Sequence, residues 1–470
     1  MNPESNIESS SFTDRRNFLK ATAVSAFAGM TVPFVHAEED NTVKLALIGC
    51  GGRGSGAAND ALSTKVRPTK MVAMADVFEH KLVGSQASLS SNYSATPGKV
   101  DVPKERQFLG FEAYRNAIDC LKPGDVAIFA TPLAFRWVHF KYAVEKGVNV
   151  FMEKPLTADA PTSKRMLEIN MEAKKKNLKV GVGLMTRHCR ARQALYKRIK
   201  DGEIGDIISM RSYRMHPPVA SAFSQSNKVM NPPDGKPEVM YQIDRFHSFL
   251  WASGGLFNDF NIHQIDECCW MKDSWPVKVH AIGGRHYRKD PEGRPYVDQN
   301  FDTYSCEYTF EDGSKLNWNS RIMPGCKQDF HSYAHGSKGS AVISLSSHTP
   351  GRCQTFKGQQ MKKTERIWAF ELEDEPNPYQ LEWDDLMESI TKNLEHNEVD
   401  RGVMASLVTS MGRYAAHTGQ EVKLEDFKNH PHEFAPGGET MTAEGPAPVV
   451  ADAEGFYGVP QPGIKIDREY

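Results

Sequence analysis

Several signals that would quickly assign a class are absent from this 470-residue chain. It has no excess of charge: 57 Lys and Arg stand against 59 Asp and Glu, a formal net charge of -2. Nucleic-acid binders usually show a clustered basic excess, so that class finds no support. The near-neutral balance suits an uncharged substrate. The eight cysteines (Cys50, Cys120, Cys189, Cys268, Cys269, Cys306, Cys326 and Cys353) contain no C-x-x-C pair. That excludes a zinc ribbon and a thioredoxin-type site, and the cysteines are too sparse for a disulfide scaffold. Adjacent Cys268 and Cys269 cannot share one face of a helix or strand, and the cysteines read as small buried apolar groups. No apolar run approaches the roughly 20 residues needed to cross a bilayer. No internal repeat is visible. With 40% hydrophobic and 10% aromatic residues the chain is not disordered throughout, and its length predicts two or three domains of about 150 residues.

Residues 11–37 read SFTDRRNFLKATAVSAFAGMTVPFVHA. Arg15-Arg16 precede a weakly apolar stretch that ends in the small-x-small pattern Val35-His36-Ala37. The segment resembles a twin-arginine export signal. The resemblance implies an address over residues 1–37, a mature chain from near Glu38, folding with cofactor before export, and a periplasmic or extracellular destination.

From Val43 to about Leu184 short apolar runs alternate with helical stretches. Val43–Ile48, Met71–Ala75, Val126–Ala130 and Val148–Met152 are the expected strands, and Phe135–Lys146 and Thr162–Lys176 the expected helices. Near-continuous apolar strands mean a parallel sheet covered on both faces, and the alternation predicts a doubly wound α/β domain over residues 42–186. Beyond Arg187 the pattern changes. Ile207–Met215, Val277–Gly283, Thr303–Phe310, Lys315–Ser320 and Ser340–Ser344 read as strands, some separated by turn signals such as Glu311-Asp312-Gly313-Ser314. Trp383–Asn393 and Val403–His417 read as helices. This predicts an α+β domain over residues 187–420 with a large, mostly antiparallel sheet. The Pro/Gly-rich residues 421–470 lack a period and read as an extended or partly disordered arm.

The first strand runs into Gly49-Cys50-Gly51-Gly52-Arg53-Gly54, a G-x-G-x-x-G turn followed by a helix. Glycines there permit the tight turn and let backbone approach a pyrophosphate, which the helix N-terminus attracts. Asp76 ends the second strand, 22 residues past Gly54, where an acid can accept hydrogen bonds from an adenine-ribose diol and repel a 2′-phosphate. NAD is therefore expected, with NADP left open by Arg53. Ala130-Thr131-Pro132 and Glu153-Lys154-Pro155 close two later strands, at the carboxyl ends where open parallel sheets bind ligands.

G-x-G-x-x-G, then A-T-P, then G-V-N-V-F-M-E-K-P together resemble the glucose–fructose oxidoreductase / inositol dehydrogenase / rhizopine catabolism (Gfo/Idh/MocA) family over about residues 42–420. The turn His335–Ser340 fits its second domain. The resemblance implies an N-terminal Rossmann domain, a C-terminal α+β sheet domain and homo-oligomers. Glu153 and Lys154 would lie at the cofactor, with Lys154 also near the substrate hydroxyl, and Pro155 would hold the turn rigid.

Gly254–His263 carries Asp259 and His263 four residues apart, neighbours on one helix face. The family's D-x-x-x-H arrangement implies His263 as general base and Asp259 as the group that orients or polarises the site. Asn261 stands where the family often has Gly. Histidine suits proton transfer because its ordinary pKa is about 6.5. Two other readings stay open at this point: a structural histidine, and a metal site built from Asp259, His263 and Asp266. No metal is expected in the site. His139 is set aside. Arg187 and His188 are placed near the substrate on position alone.

The expected activity is hydride transfer between a nicotinamide cofactor and a secondary hydroxyl of a sugar, cyclitol or polyol. The alternative is redox-assisted glycoside cleavage, or hydride shuttling on tightly held NAD, with no net oxidation. A third is a non-catalytic sugar-binding protein that keeps the scaffold.

Overall fold

The computed structural model describes residues 41–219, 236–286, 289, 293, 296–371, 375–453 and 456–470. The segment read as an export signal lies outside the described residues.

Six parallel strands form the first sheet: β1 (Val43–Ile48), β2 (Thr69–Asp76), β3 (Gln107–Leu109), β4 (Val126–Phe129), β5 (Asn149–Met152) and β6 (Val180–Val182). Their order is β3-β2-β1-β4-β5-β6. Every residue of β4 and β5 is buried, which is why these strands read as unbroken apolar runs. Helices α1 (Gly52–Ser63), α2 (Glu79–Asn92), α3 (Ala113–Ile118), α4 (Leu133–Lys146) and α5 (Ala160–Lys175) make the connections. The order reverses between β1 and β4, and the crevice at that switch is where doubly wound sheets bind ligands.

Helix α6 (Arg190–Lys200) leads into a nine-stranded sheet. Its strands are β7 (Ile207–His216), β8 (Lys278–Gly284), β9 (Thr303–Thr309), β10 (Lys315–Ile322), β11 (Asp329–Gly336), β12 (Ser340–Leu345), β13 (Gln354–Phe356), β14 (Arg366–Ala369) and β15 (Val422–Lys423). The order is β14-β13-β12-β11-β7-β10-β9-β8-β15. Only the β7–β10 pairing is parallel among these. Burial alternates along β9 and β10, so Tyr304, Cys306, Tyr308, Leu316 and Trp318 face inward and their neighbours lie half-exposed on the other face. The long α9 (Gly255–Lys272) and α11 (Val399–Thr418) pack on the inner face; the short α7 (Glu238–Asp244) and α8 (Leu250–Ser253) precede α9. Phe257 of α9 meets Trp318 edge-on, with ring centroids 5.4 Å apart. Trp318 is fully buried, and truncating such a side chain costs about 3–5 kcal/mol.

Helix α10 (Pro378–Lys392) returns to the first sheet, where Trp383 stacks on Phe151 at 4.4 Å. The short α12 (Leu424–Phe427) then opens the final stretch. This stretch is packed rather than loose among its described residues: Phe434, Ala435, Val449 and Tyr457 join a core with Leu133, Phe135 and Trp251. Its anchor is Glu469, 2% exposed, whose carboxylate receives Arg413 Nε at 2.9 Å and Nη2 at 2.8 Å, and His417 Nδ1 at 2.6 Å. A disordered arm is therefore not what these residues form. Isolated apolar anchors and one buried ion pair hold them where no periodic element does. The cysteines are all free thiols, and only Cys326 is exposed.

Candidate active site

The glycine turn is shaped by contacts no side chain could share. Gly49 has φ +97°, and a Cβ there would lie 2.7 Å from the Ala130 carbonyl. A Cβ on Gly54 would lie 1.9 Å from Gly49 O. At Gly51 and Gly52 the opposite holds, since a Cβ would project into open space. Helix α1 starts at Gly52 with no side-chain cap, so its first N–H groups point at that space with the positive end of the helix dipole behind them. Cys50 N–H donates to Asp76 Oδ2 at 2.7 Å and Phe78 N–H to Oδ1 at 2.8 Å. Burial raises the Asp76 pKa, and these N–H groups counter it. Each oxygen keeps a lone pair for a further donor. Gly49, Gly51, Asp76, Ala130, Thr131 and Pro132 line one cleft with Phe78, Phe111 and His139. An anion cradle, an acid and an aromatic slot fit a dinucleotide.

His139, set aside on sequence, thus belongs to this cleft. It stacks against Tyr114 at 4.4 Å and sits 3.2 Å from Thr131 Oγ1. Burial first, then Arg136 and Arg115, lower its pKa to about 3, so it is uncharged. Arg53 does not line the cleft. Its Nε reaches Glu153 Oε1 at 2.8 Å, its Nη2 reaches Asp60, and it lies over the Tyr379 ring. The structure thus pairs Arg53 and Glu153 with each other.

A residue the sequence reading missed ties the two strand-end landmarks together. Arg136, buried on α4, donates to the carbonyls of Thr131, Glu153 and Pro155. Three fixed donors on three turn carbonyls hold the Ala130-Thr131-Pro132 and Glu153-Lys154-Pro155 turns in one arrangement. The Lys154–Pro155 peptide is cis.

Beyond those turns Lys154, Asp259 and His263 come together. Lys154 Nζ donates to Asp259 Oδ1 at 3.0 Å and to Asp259 O at 2.6 Å. The second carboxylate oxygen of Asp259 faces His247 Nε2 at 3.0 Å, another residue without a sequence signal. Burial alone would raise the Asp259 pKa, but the Lys154 ammonium and His247 outweigh it and hold the carboxyl well below its usual range. His263 is 4% exposed, and neither ring nitrogen hydrogen-bonds a described group, Nδ1 being fully enclosed. Its ring packs against His348 at 4.4 Å. Burial, then His348, Lys154, Arg214 and Arg192, push its pKa well below 6.5. It is therefore neutral.

Helix α9 presents this pair because of its entry. Gly254 and Gly255 have φ +69° and +73°. A Cβ at Gly255 would lie 2.5 Å from Asn300 Oδ1, the atom that accepts from Leu256 N–H at 2.8 Å. Arg413 donates to Gly254 O at 3.0 Å and to Ala158 O at 2.8 Å, linking the start of α9 to the chain just past Lys154.

Asp266 does not join Asp259 and His263. Arg187 binds it through two bonds of 2.8 and 2.7 Å, and among the described residues no group of three His, Cys, Asp or Glu converges as metal ligands. His188 pairs with Asp385 at 2.7 Å and Glu398 at 3.2 Å. Burial opposes its charge, but the two acids raise its pKa to about 9. Arg187 and His188 line a separate surface cleft with Asp385 and Glu398, not the space at Lys154.

A six-stranded parallel sheet with a glycine-turn crevice is joined to a mixed nine-stranded sheet, with Lys154, Asp259 and His263 brought together. Residues 192–342 match the model of the GFO/IDH/MocA C-terminal domain. Inositol 2-dehydrogenase of Corynebacterium glutamicum is 30% identical over 157 residues, 33% of this chain and 38% of that protein. Inositol 2-dehydrogenase of Leifsonia xyli is 25% identical over 245 residues, 52% of this chain and 59% of that protein. The chain thus matches these curated relatives over about two-fifths to three-fifths of their length. Among solved structures, the aldose-aldose oxidoreductase of Caulobacter crescentus in complex with glycerol superposes with a TM-score of 0.60 at 17% identity, covering 81% of this chain and 99% of that one. The scyllo-inositol dehydrogenase of Lactobacillus casei with NAD(H) and scyllo-inositol does so with 0.57 at 19%, covering 82% and 99%.

Proposed function

We propose that this chain is a Gfo/Idh/MocA oxidoreductase that uses NAD to oxidise a secondary hydroxyl of a sugar, cyclitol or polyol, or to reduce the corresponding ketone. The carrying observation is the buried, neutral, unpartnered His263 beside a Lys154 fixed by Asp259. Gly49, Gly51, Gly52, Gly54 and Asp76 would hold the dinucleotide, which supplies the hydride acceptor when bound. Asp76 carries no arginine partner, and Arg53 is committed to Glu153 and Asp60; both support NAD over NADP.

A base must be unprotonated to act, and burial, by lowering the His263 pKa, favours its unprotonated form. It takes the hydroxyl proton. Lys154 keeps its ammonium aimed at the oxygen that gains negative charge, which lowers the barrier in proportion to how well it is preorganised. Asp259 and His247 provide that preorganisation. Replacing Lys154 with Met or His263 with Ala is expected to cut turnover by about 10²–10⁴ while the dinucleotide still binds. Unchanged turnover in both variants refutes the reading.

The finer alternative, glycoside cleavage through a transient ketone with no net oxidation, rests on the export resemblance, since a tightly held cofactor must then be recycled in place. Release of sugar without accumulation of NADH selects it. Export by the twin-arginine route belongs to the same proposal and is tested by locating the full-length chain with Arg15-Arg16 intact and replaced by Lys-Lys. No helix among the described residues is long and apolar enough to cross a membrane. Homo-oligomers are proposed through the outer side of the nine-stranded sheet, where β7 and β8 leave Ile208 58% and Ile282 74% exposed.

A further inference from the structure

Most arginines around the site are committed to partners. Arg53, Arg187, Arg192 and Arg413 each hold a carboxylate, and Arg136 holds three carbonyls. Arg214, on β7, makes no ion pair among the described residues. Its Cζ lies 4.0 Å over the Phe330 ring and 5.8 Å from that of Phe260, and Nη1 donates to His348 Nε2 at 3.2 Å. Accepting there leaves the His348 proton on Nδ1, the neutral form. Burial and then Arg214, Arg192 and Lys154 push the His348 pKa well below 6.5, so this imidazole does not balance or add charge.

The guanidinium borders a cleft of about 350 Å³ lined by Arg214, His216, Asp329, Phe330, His331 and Ser346, in which the Asp329 carboxylate is paired with His331. In the same lining His216 Nε2 is enclosed without a partner among the described residues. Between this cleft and the reacting cluster lies one side chain: Arg214 contacts His348, and His348 packs on His263. Charges can now be counted. Lys154 is neutralised by Asp259, His263 and His348 are neutral, and Arg192 is neutralised by Glu267. Arg136 is also charged but is spent on three turn carbonyls, which leaves Arg214 as the guanidinium of this set with neither a carboxylate nor a carbonyl partner among the described residues. Burial lowers its pKa only to about 10, so it stays charged at neutral pH.

We propose that the substrate carries a carboxylate and that Arg214 recognises it, presenting the hydroxyl of an acidic sugar to Lys154 and His263. This deepens the oxidoreductase reading and rests on it only for the fate of the bound sugar. A guanidinium fork matches a planar carboxylate through two parallel bonds. One guanidinium without an acid partner, in a cleft that also holds Asp329, suits one carboxylate better than a phosphomonoester, which carries about -1.5 to -2 at pH 7. The aromatic rings beside Arg214 hold the planar fork in place and partly dehydrate it, which strengthens such a bond. The whole-chain charge of -2 does not report on this local balance.

The test is calorimetric binding to the full chain with its dinucleotide. Glucuronate, galacturonate and mannuronate are each compared with the parent hexose, with glucose 6-phosphate as a further arm, and NADH formation is read in parallel. At least one uronate is expected to bind tenfold or more tighter than its hexose. Arg214→Gln is expected to lower that affinity about ten- to hundredfold, toward the hexose value. Arg214→Lys, which keeps charge without the fork, should fall between. The wild-type panel decides the matter even if a variant folds poorly. No uronate preference in any pair, tighter binding of the phosphate, or a preference that survives in a folded Arg214→Gln overturns the assignment. A uronate that binds through Arg214 but is never oxidised upholds the assignment and refutes the oxidoreductase reading instead.

Discussion

Replacing Glu469 with Gln tests whether the C-terminus is a structural member or a loose end. The carboxylate is 2% exposed and receives two bonds from Arg413 and one from His417. Burial raises its pKa, but Arg413 and then His417 outweigh this and hold it at about 2, against an ordinary 4.5. That difference corresponds to about 3 kcal/mol of native-state stability. Breaking a buried ion pair by removing one partner independently suggests about 3–5 kcal/mol, because Arg413 would be left charged and uncompensated. The sign follows from the depressed pKa: the contribution is complete above about pH 4.5 and is lost as pH falls toward 2. His417 acts in the same direction, since burial lowers its pKa and protonating it below 6.5 destabilises the fold. Urea denaturation followed by tryptophan fluorescence is the assay. Glu469→Gln should be about 3 kcal/mol less stable at pH 7, and the gap should narrow steadily below pH 4.5. Glu172→Gln is the control, because its pair with Lys175 leaves both side chains more than half exposed and such pairs contribute under about 1 kcal/mol. A Glu469→Gln loss below about 0.5 kcal/mol at pH 7, or a gap that does not change between pH 7 and pH 3, refutes the reasoning.

Three further outcomes follow from the cofactor side. Gly54→Ala, whose Cβ would lie 1.9 Å from Gly49 O, should lower both melting temperature and dinucleotide affinity. Gly51→Ala, whose Cβ meets nothing, should leave stability within about 1 kcal/mol of wild type and weaken only the dinucleotide; equal behaviour of the two variants in melting and titration contradicts the cradle. Asp76→Ala should weaken NAD about ten- to hundredfold and shrink the ratio of NAD to NADP affinity, measured by equilibrium titration; an unchanged ratio removes Asp76 from the ribose site. Arg136→Met should destabilise by a few kcal/mol, since it strands three turn carbonyls, and reduce kcat more than dinucleotide affinity; full turnover in the variant argues against a positioning role.

The first domain was readable because its chemistry is local. A buried parallel strand must be apolar along its whole length, a turn over a phosphate must be glycine, and an acid at the end of β2 falls at a fixed spacing. The second domain hides its strands more. β11, DFHSYAHG, was not read as a strand, because its alternate residues are half-exposed and polar or aromatic on both sides of the pleat. β13 and β14, three and four residues long, are too short to show a period. The final stretch defeated a periodic reading because Phe434, Tyr457 and Glu469 are held singly, by tertiary contacts rather than by an element.

The site divides along the same line. Lys154, Asp259 and His263 stand in short motifs, so a resemblance could carry them. His247, His348, Arg136 and Arg214 reach the cluster only through tertiary packing: His348 follows β12, Arg214 sits on β7, and no spacing connects either to His263. Yet these residues set the proton states. Without His348, Lys154, Arg214 and Arg192 around it, His263 would keep more of its ordinary basicity. The net charge of the chain sums well-solvated surface groups and enclosed ones alike, whereas a ligand meets only the few charges that burial has left unpaired. An uncharged substrate is the expectation from the sum; the Arg214 guanidinium, with no acid partner among the described residues, supports the proposed anionic one.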